Sequence, residues 1–194
     1  MRDDVRTANE AYAPSFGDRG SLALPPARRF TILTCMDARL DPAGYAERSE
    51  GDAQVIRIAG GRAGDDAVHS LVISCKLLGT AEWFVVHHTD CGMEERMAFF
   101  ADEGIRDLLA NSLETAALGP DGFHDVGTGP GSTEARSVDR LTIADLAQRV
   151  LEDVTRIRSH PLVPTRIPID GDRYDVTDGR LIEAEDATEP GASS

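Results

Sequence analysis

The stretch FTILTCMD (residues 30–37) decides the fold class of this chain. It is apolar and β-branched without strict alternation, which is the pattern of a strand covered on both faces in a parallel sheet. Two later segments also read as strands: AQVIRIAGG (53–61), which ends in a glycine turn, and AEWFVVHHT (81–89). We therefore expect three strands in this part of the chain.

Helices are predicted between these strands. Asp41 is a suitable N-cap residue and Pro42 suits the first helical position, so a short helix is expected through about Arg48. The segment DDAVHSLVISCKLLGT (65–80) carries an apolar face, acidic residues at its start and Gly79 at its end. Strands that alternate with helices predict an α/β fold, with a mostly parallel central β-sheet flanked by helices.

The second half of the chain is less regular. Residues 91–113 and 142–159 predict helices, and residues 119–137 are so rich in glycine and polar residues that we expect a mobile surface loop. The stretch TRIPIDGDRYDVTDGRLIEAE (165–185) predicts edge strands that turn at Asp170-Gly171 and Asp178-Gly179.

The length of 194 residues suits one domain with one core. Residues 1–28 form an amphipathic N-terminal helical arm that cannot bury itself alone, so it is expected to pack on something else. Residues 29–185 form the single α/β domain, and the acidic residues 186–194 are expected to be a disordered tail.

The composition narrows the possible partners. A formal net charge of −14 argues against binding to nucleic acid or to an anionic membrane, because both need a basic surface. A small-molecule substrate fits better. No apolar run is long enough to span a bilayer, and the N-terminus lacks the apolar centre of a signal peptide, so a cytoplasmic protein is expected. Three cysteines do not make a disulfide framework and are available for a metal.

Two short motifs stand at the carboxyl ends of predicted strands, where ligands bind in open α/β sheets. Cys35, Asp37 and Arg39 follow the first strand, and His88 and Cys91 follow the third. Thiolate and imidazole are preferred zinc ligands, and a Cys2His set leaves the fourth tetrahedral position open for water. The sequence therefore predicts a catalytic zinc site at this edge.

The pattern Cys-x-Asp-x-Arg, followed later in the chain by His-x-x-Cys-Gly, resembles that of the β-carbonic anhydrases. The likeness covers residues 29–93, with fainter agreement in the final helix and in YDVTDGRL. It implies one Zn²⁺ per subunit, held by Cys35, His88 and Cys91, and reversible hydration of carbon dioxide by a zinc-bound hydroxide. Asp37 would accept a hydrogen bond from that hydroxide while Arg39 holds Asp37 in place.

The resemblance also implies an assembly and points to differences from the family. The expected assembly is a homodimer or a higher homo-oligomer, in which the N-terminal arm of each subunit reaches over its partner. Many family members have Ser at the position of Ala38 and Asn at the positions of Ile58 and Gly61. These differences concern the lining of the pocket and leave the predicted ligands and the Asp37–Arg39 pair intact.

Two other functions are consistent with the same residues. The zinc site could hydrolyse carbonyl sulfide or carbon disulfide, since the metal ligands would be the same. Alternatively, Asp37 could occupy the fourth zinc position and close the site, which would give a non-catalytic zinc-binding protein. Turnover of each substrate and activity across pH would separate these hypotheses.

Overall fold

A computed structural model describes residues 1–93, 116–119, 122–125 and 145–188, with side chains in the first and last ranges. Within these ranges the strands are β1 (Phe30–Cys35), β2 (Ala53–Ile58), β3 (Glu82–His88), β4 (Ala116–Gly119), β5 (Gly122–Asp125), β6 (Ile169–Tyr174) and β7 (Leu181–Glu183). The α-helices are α1 (Arg2–Tyr12), α2 (Pro42–Tyr45), α3 (Asp65–Lys76) and α4 (Leu146–Ser159).

Five strands form the central sheet in the order β2-β1-β3-β6-β7. The first four are parallel and β7 is antiparallel to β6. The register sets Cys35 opposite Ile58, and His88 opposite Tyr174. The predicted mostly parallel sheet is confirmed, and its parallel strands end together at one edge.

One face of the sheet is covered by α3 and α4, as the apolar periodicity of both helices predicts. The residues with at most 1% exposure in this core include Leu33, Leu71, Trp83, Val85, Val150, Val154, Ile157 and Ile169. This core fixes β3 against α4. The two elements therefore hold the carboxyl end of β3 in a defined place.

The opposite face carries a smaller cluster of Phe30, Ile32 and Val86, against which Tyr45 of α2 and Tyr174 of β6 pack. The two tyrosine rings lie 5.1 Å apart between centroids. A helical residue therefore packs on this face too. The predicted arrangement of a sheet flanked by helices is confirmed.

The helices agree with the predicted ones in place but not always in length. Helix α2 ends at Tyr45 rather than near Arg48, and Glu47 has a φ of +43°, which is outside the helical region. Helix α1 is present within the predicted arm and has no buried residue within the described chain. No described helix has the length and apolar character needed to cross a membrane.

The turn predicted at Asp170-Gly171 is wrong, because β6 runs straight through it as an internal strand between β3 and β7. A Cβ at Gly171 would lie 2.8 Å from side-chain atoms of Val150 and Ala187. The glycine therefore permits the close approach of α4 rather than a change of direction. The second predicted turn is present, and Gly179 there has a φ of +78°.

The mobile loop predicted over residues 119–137 is wrong at its start, because β4 and β5 form an antiparallel hairpin there. Gly119 pairs with Gly122, so glycines taken as loop residues belong to paired strands. Residues 126–137 and most of the predicted helix 91–113 lie outside the described residues. Ala187 is 1% exposed, so packed chain extends past the predicted start of the tail at residue 186.

Candidate metal centre

Three predicted ligands meet at the carboxyl edge of the sheet. Cys35 is the last residue of β1, His88 is the last residue of β3, and Cys91 lies in the turn that follows. Their ligand atoms all lie within 4.8 Å of one another, and all three residues are buried. Because β1 and β3 are parallel neighbours, residues distant in the sequence arrive at one point.

The turn after β3 returns Cys91 to the sheet. The backbone N–H of Thr89 donates to Tyr174 O at 3.0 Å, which extends the pairing between β3 and β6 by one residue. Asp90 then adopts a φ of +55°, a left-handed conformation that aspartate tolerates better than most residues. This change of direction places Cys91 beside Cys35.

The donor geometry fits a zinc ion. The Cys35 and Cys91 sulfurs lie 3.9 Å apart, which is too far for a disulfide, whose S–S bond is about 2.0 Å. Two thiolates bound tetrahedrally at about 2.3 Å from zinc would lie about 3.8 Å apart. The observed separation matches that arrangement.

The imidazole of His88 is oriented to complete the set. Its Nδ1 lies 2.9 Å from Thr89 O, a distance that suits an Nδ1–H donating to the carbonyl. Its Nε2 is buried and has no hydrogen-bond partner among the described residues. A buried nitrogen lone pair without a donor is costly in an apolar setting and suits a metal ligand, and backbone bonding of the other ring nitrogen is usual for such histidines.

The environment favours thiolate at Cys35. Hydrogen bonding to Cys91 and, to a lesser extent, the proximity of His88 lower the pKa of Cys35 to about 4, although burial opposes the shift. Burial is the largest single influence and acts to lower the pKa of His88, but Cys35, the Thr89 backbone and Asp37 together outweigh it, so the net direction is upward. The site therefore stabilises the negative sulfur that zinc requires, and metal binding would displace the proton from the imidazole.

Asp37 and Arg39 lie beside the ligand set and pair with each other. The backbone N–H of Arg39 donates to Asp37 Oδ1 at 2.9 Å, and its Nη2 donates to Oδ2 at 2.8 Å. Hydrogen bonds from Arg39 lower the pKa of Asp37 to about 2, and Asp37 raises the pKa of Arg39. Asp37 Oδ2 lies 3.9 Å from His88 Nε2, so an ionised carboxylate is held next to the candidate metal position.

Two further contacts at the site were not foreseen from the sequence. Arg39 donates to the side chain and to the backbone carbonyl of Asp90, at 2.6 Å in each case. Arg57 on β2 donates to Cys35 O at 3.1 Å and also to Asp37 O. A charged residue near the end of the otherwise apolar strand AQVIRI was the available signal for Arg57.

The apolar side of the site includes Met93 and Leu146, which pack against the two cysteines. Ile58 packs on the main core and is paired in register with Cys35. Gly61 has a φ of +68°, and a Cβ there would lie 3.0 Å from Cys35 N. The backbone after β2 therefore lies directly against a predicted ligand.

The chain is similar to known carbonic anhydrases in sequence and in overall structure. The sequence model of the carbonic anhydrase family matches residues 30–181. The chain is 33% identical to β-carbonic anhydrase 1 of Mycobacterium tuberculosis over 94% of this chain and 97% of that protein. It is 30% identical to a carbon disulfide hydrolase of Acidithiobacillus thiooxidans over 84% and 80% of the two chains. The crystal structure of the Streptococcus mutans carbonic anhydrase has 36% identity and a TM-score of 0.73, with 94% and 96% coverage.

Proposed function

Because the chain belongs to the β-carbonic anhydrase family, we propose that it catalyses the reversible hydration of carbon dioxide to bicarbonate and a proton. The observation that carries this proposal is the buried Cys35–His88–Cys91 group with the Asp37–Arg39 pair beside it. The ligand set suits zinc and the pair supplies an ionised, oriented carboxylate.

Zinc bound by these three residues would activate a water molecule for attack on carbon dioxide. Asp37 would accept a hydrogen bond from the attacking water and so orient a lone pair of the water oxygen toward the substrate carbon. Arg39, which remains charged, keeps the carboxylate of Asp37 ionised and fixes its orientation through two parallel hydrogen bonds. The new carbon–oxygen bond gives bicarbonate, and the proton passes to solvent.

Arg39 also favours an open site over a closed one. Both oxygens of Asp37 accept hydrogen bonds from Arg39, so Arg39 holds the carboxylate beside the ligand group. A permanent fourth zinc ligand at Asp37 would have to give up part of this pairing. The geometry thus supports a catalytic role for Asp37 rather than the closed, non-catalytic arrangement.

A second candidate function is hydrolysis of carbon disulfide or carbonyl sulfide. The observation in its favour is the 30% identity to a carbon disulfide hydrolase. These linear molecules need the same nucleophile and an apolar wall, which Met93 and Leu146 would supply here. We favour carbon dioxide because the similarity to β-carbonic anhydrase 1 covers more of both chains, although another carbon disulfide hydrolase is also 33% identical.

Zinc content and substrate preference test the proposal together. The purified protein should contain one zinc per chain, and its kcat/KM for carbon dioxide should exceed those for carbonyl sulfide and carbon disulfide by about tenfold or more. The variant Cys91→Ala should lose the metal, whereas Cys75→Ala, which alters a cysteine outside the site, should retain it. A higher kcat/KM for either sulfur compound would overturn the assignment to carbon dioxide.

The assembly is proposed to be a homodimer or a higher homo-oligomer. Support comes from α1, none of whose residues is buried against the described part of its own chain. A short helix gains little stability from its own backbone, so it needs an external surface to pack on. Light scattering should give a mass at least twice that of the chain. Deletion of residues 1–28 should lower the number of chains in the assembly.

A further inference from the structure

A second group of charged residues lies on the other side of β3 from the ligands. Asp153 of α4 is 1% exposed, His87 is fully buried, and Arg62 is 6% exposed. Burial of three ionisable residues together is expensive, because each charge loses its hydration. This cost indicates that the group has a role other than stabilisation of the fold.

The carboxylate of Asp153 contacts both of the other residues. Arg62 donates to it through two nitrogens, from Nε to Oδ2 at 2.8 Å and from Nη2 to Oδ1 at 3.2 Å. His87 Nε2 lies 3.0 Å from the same Oδ2. One side chain on α4 thus hydrogen-bonds with a residue of the segment that follows β2 and contacts a residue of β3.

Each end of this group adjoins one predicted zinc ligand. His87 immediately precedes His88, and strand alternation sends the two rings to opposite faces of the sheet. Arg62 immediately follows Gly61, where an added Cβ would lie 3.0 Å from Cys35 N. Fixing His87 and Arg62 therefore restrains the backbone that carries His88 and the backbone that packs against Cys35.

The helix that carries Asp153 also reaches the site directly. Leu146, the first residue of α4, packs against Cys35 and Cys91. Asp153 lies two turns further along the same helix. Helix α4 therefore contacts the ligand group through its first residue. Through Asp153 it also restrains the backbone next to His88 and Cys35.

We propose that Asp153 is a positioning residue of the metal centre, which sets the spacing of Cys35 and His88 through Arg62 and His87. This inference rests on the proposed zinc function but concerns residues that touch neither the metal nor the substrate. Without the contacts that Asp153 makes, the positions of the ligands are less restricted. The centre then binds metal less tightly and with less uniform geometry. Residues that support metal ligands in other proteins affect metal affinity by about 10- to 100-fold.

The test compares Asp153→Asn with Asp186→Asn. The first change removes the central charge at nearly constant shape; the second makes the same substitution at an exposed position outside the charged group. For each variant, zinc affinity is measured by competition with a chelator, and the visible absorption of the cobalt-substituted protein reports ligand geometry. Circular dichroism and thermal unfolding of the metal-free protein report the fold.

We expect Asp153→Asn to fold, to bind zinc about tenfold more weakly than the parent, and to show a shifted or broadened cobalt spectrum. Asp186→Asn should match the parent in both respects. Zinc affinity within twofold of the parent together with an unchanged cobalt spectrum for Asp153→Asn would overturn the inference. A parent protein that binds no zinc would instead overturn the proposed function.

The double variant Arg62→Met/Asp153→Leu decides the matter if Asp153→Asn does not fold. Replacing a buried ion pair with apolar side chains of similar size often preserves stability. A folded double variant with weaker zinc binding and an altered cobalt spectrum supports a positioning role. A folded double variant with parental zinc affinity and spectrum shows that the group serves the fold alone.

Discussion

Arg39 and Asp90 are joined by two hydrogen bonds of 2.6 Å, one to the carboxylate and one to the backbone carbonyl of Asp90. The same guanidinium holds Asp37. Arg39 thus links the motif after β1 to the turn after β3. This bridge fixes the orientation of the guanidinium from a second side.

Replacing Asp90 tests how much this bridge contributes. Asp90→Asn keeps a residue type that tolerates the φ of +55° and keeps the backbone carbonyl, but it removes the negative charge. We expect full zinc content and a kcat about three- to tenfold lower, because an exposed ion pair is worth about 1 kcal/mol. Stopped-flow hydration assays measure this, and a kcat equal to that of the parent would show that the carbonyl contact suffices.

Asp37→Asn should have a much larger effect on turnover. The amide cannot accept the hydrogen bond of the attacking water in the same way and no longer matches the fork of Arg39, so kcat should fall by about 100-fold or more while zinc remains bound. Asp41→Asn is the matched control, because Asp41 caps α2 and asparagine caps a helix equally well. Loss of zinc from Asp37→Asn would show that Asp37 is a ligand instead.

The dependence of the rate on pH should be simple. Two thiolate donors make a bound zinc ion a weaker Lewis acid than three imidazoles would, so hydration activity should rise as pH increases from neutral to alkaline. Asp37, with its pKa lowered to about 2, stays ionised throughout and adds no further step. A stopped-flow series in non-coordinating buffers measures the profile, and a flat profile down to acid pH would contradict the expectation.

Gly61 should be sensitive to a single added methyl group. Gly61→Ala would strain a residue at φ +68° and would bring a Cβ to 3.0 Å from the backbone of Cys35. We expect a free energy of unfolding lower by about 1–3 kcal/mol and weaker zinc binding.

Gly179→Ala is the control, because Gly179 also has a positive φ but the heavy atom nearest to an added Cβ would be Tyr174 Oη at 3.6 Å. The free energy of unfolding of Gly179→Ala should be lower by about 1 kcal/mol, and its zinc affinity should equal that of the parent. Equal zinc affinity in the two variants would show that contact with Cys35 is unimportant.

The predicted ligands came from the sequence because each belongs to a short motif at the end of a strand, and parallel strands bring their ends together. The contacts of Asp90 and Arg57 could not be foreseen in this way. Asp90 reaches Arg39 only because the turn after β3 takes a left-handed step, and Arg57 reaches the first motif from a neighbouring strand. The charged residue within the apolar strand AQVIRI marks Arg57 as unusual, but nothing in the local sequence of either residue names its partner.

Long-range packing explains the other differences. Arg62 and Asp153 lie 91 positions apart, and no periodicity in either segment pairs them. An Asp-Gly dipeptide is typical of a hairpin turn, but Gly171 is needed for the approach of Val150 and Ala187. The sequence pattern predicted most of the helices and strands. The structural role of single polar or small residues depends on which residues surround them in the folded chain.

Asp170 should weaken the fold at neutral pH. It is partly buried on β6, and burial together with Glu82, Asp172 and Glu183 raises its pKa from 3.8 to about 6. The folded state therefore keeps a proton that the unfolded state releases, so stability falls as pH rises from about 4 to about 6 and stays reduced above that.

Asp170→Asn removes this loss and should raise the free energy of unfolding at pH 7 by about 1 kcal/mol, once the shift is discounted for solvent screening of a half-exposed group. Urea unfolding at pH 7 and at about pH 3 measures the effect, which should nearly disappear at the lower pH because both states are then largely protonated. Asp186→Asn, at an exposed position, changes the net charge equally and should leave stability unchanged. An Asp170→Asn gain no larger than that of Asp186→Asn at pH 7 would show that the surrounding carboxylates do not act on Asp170.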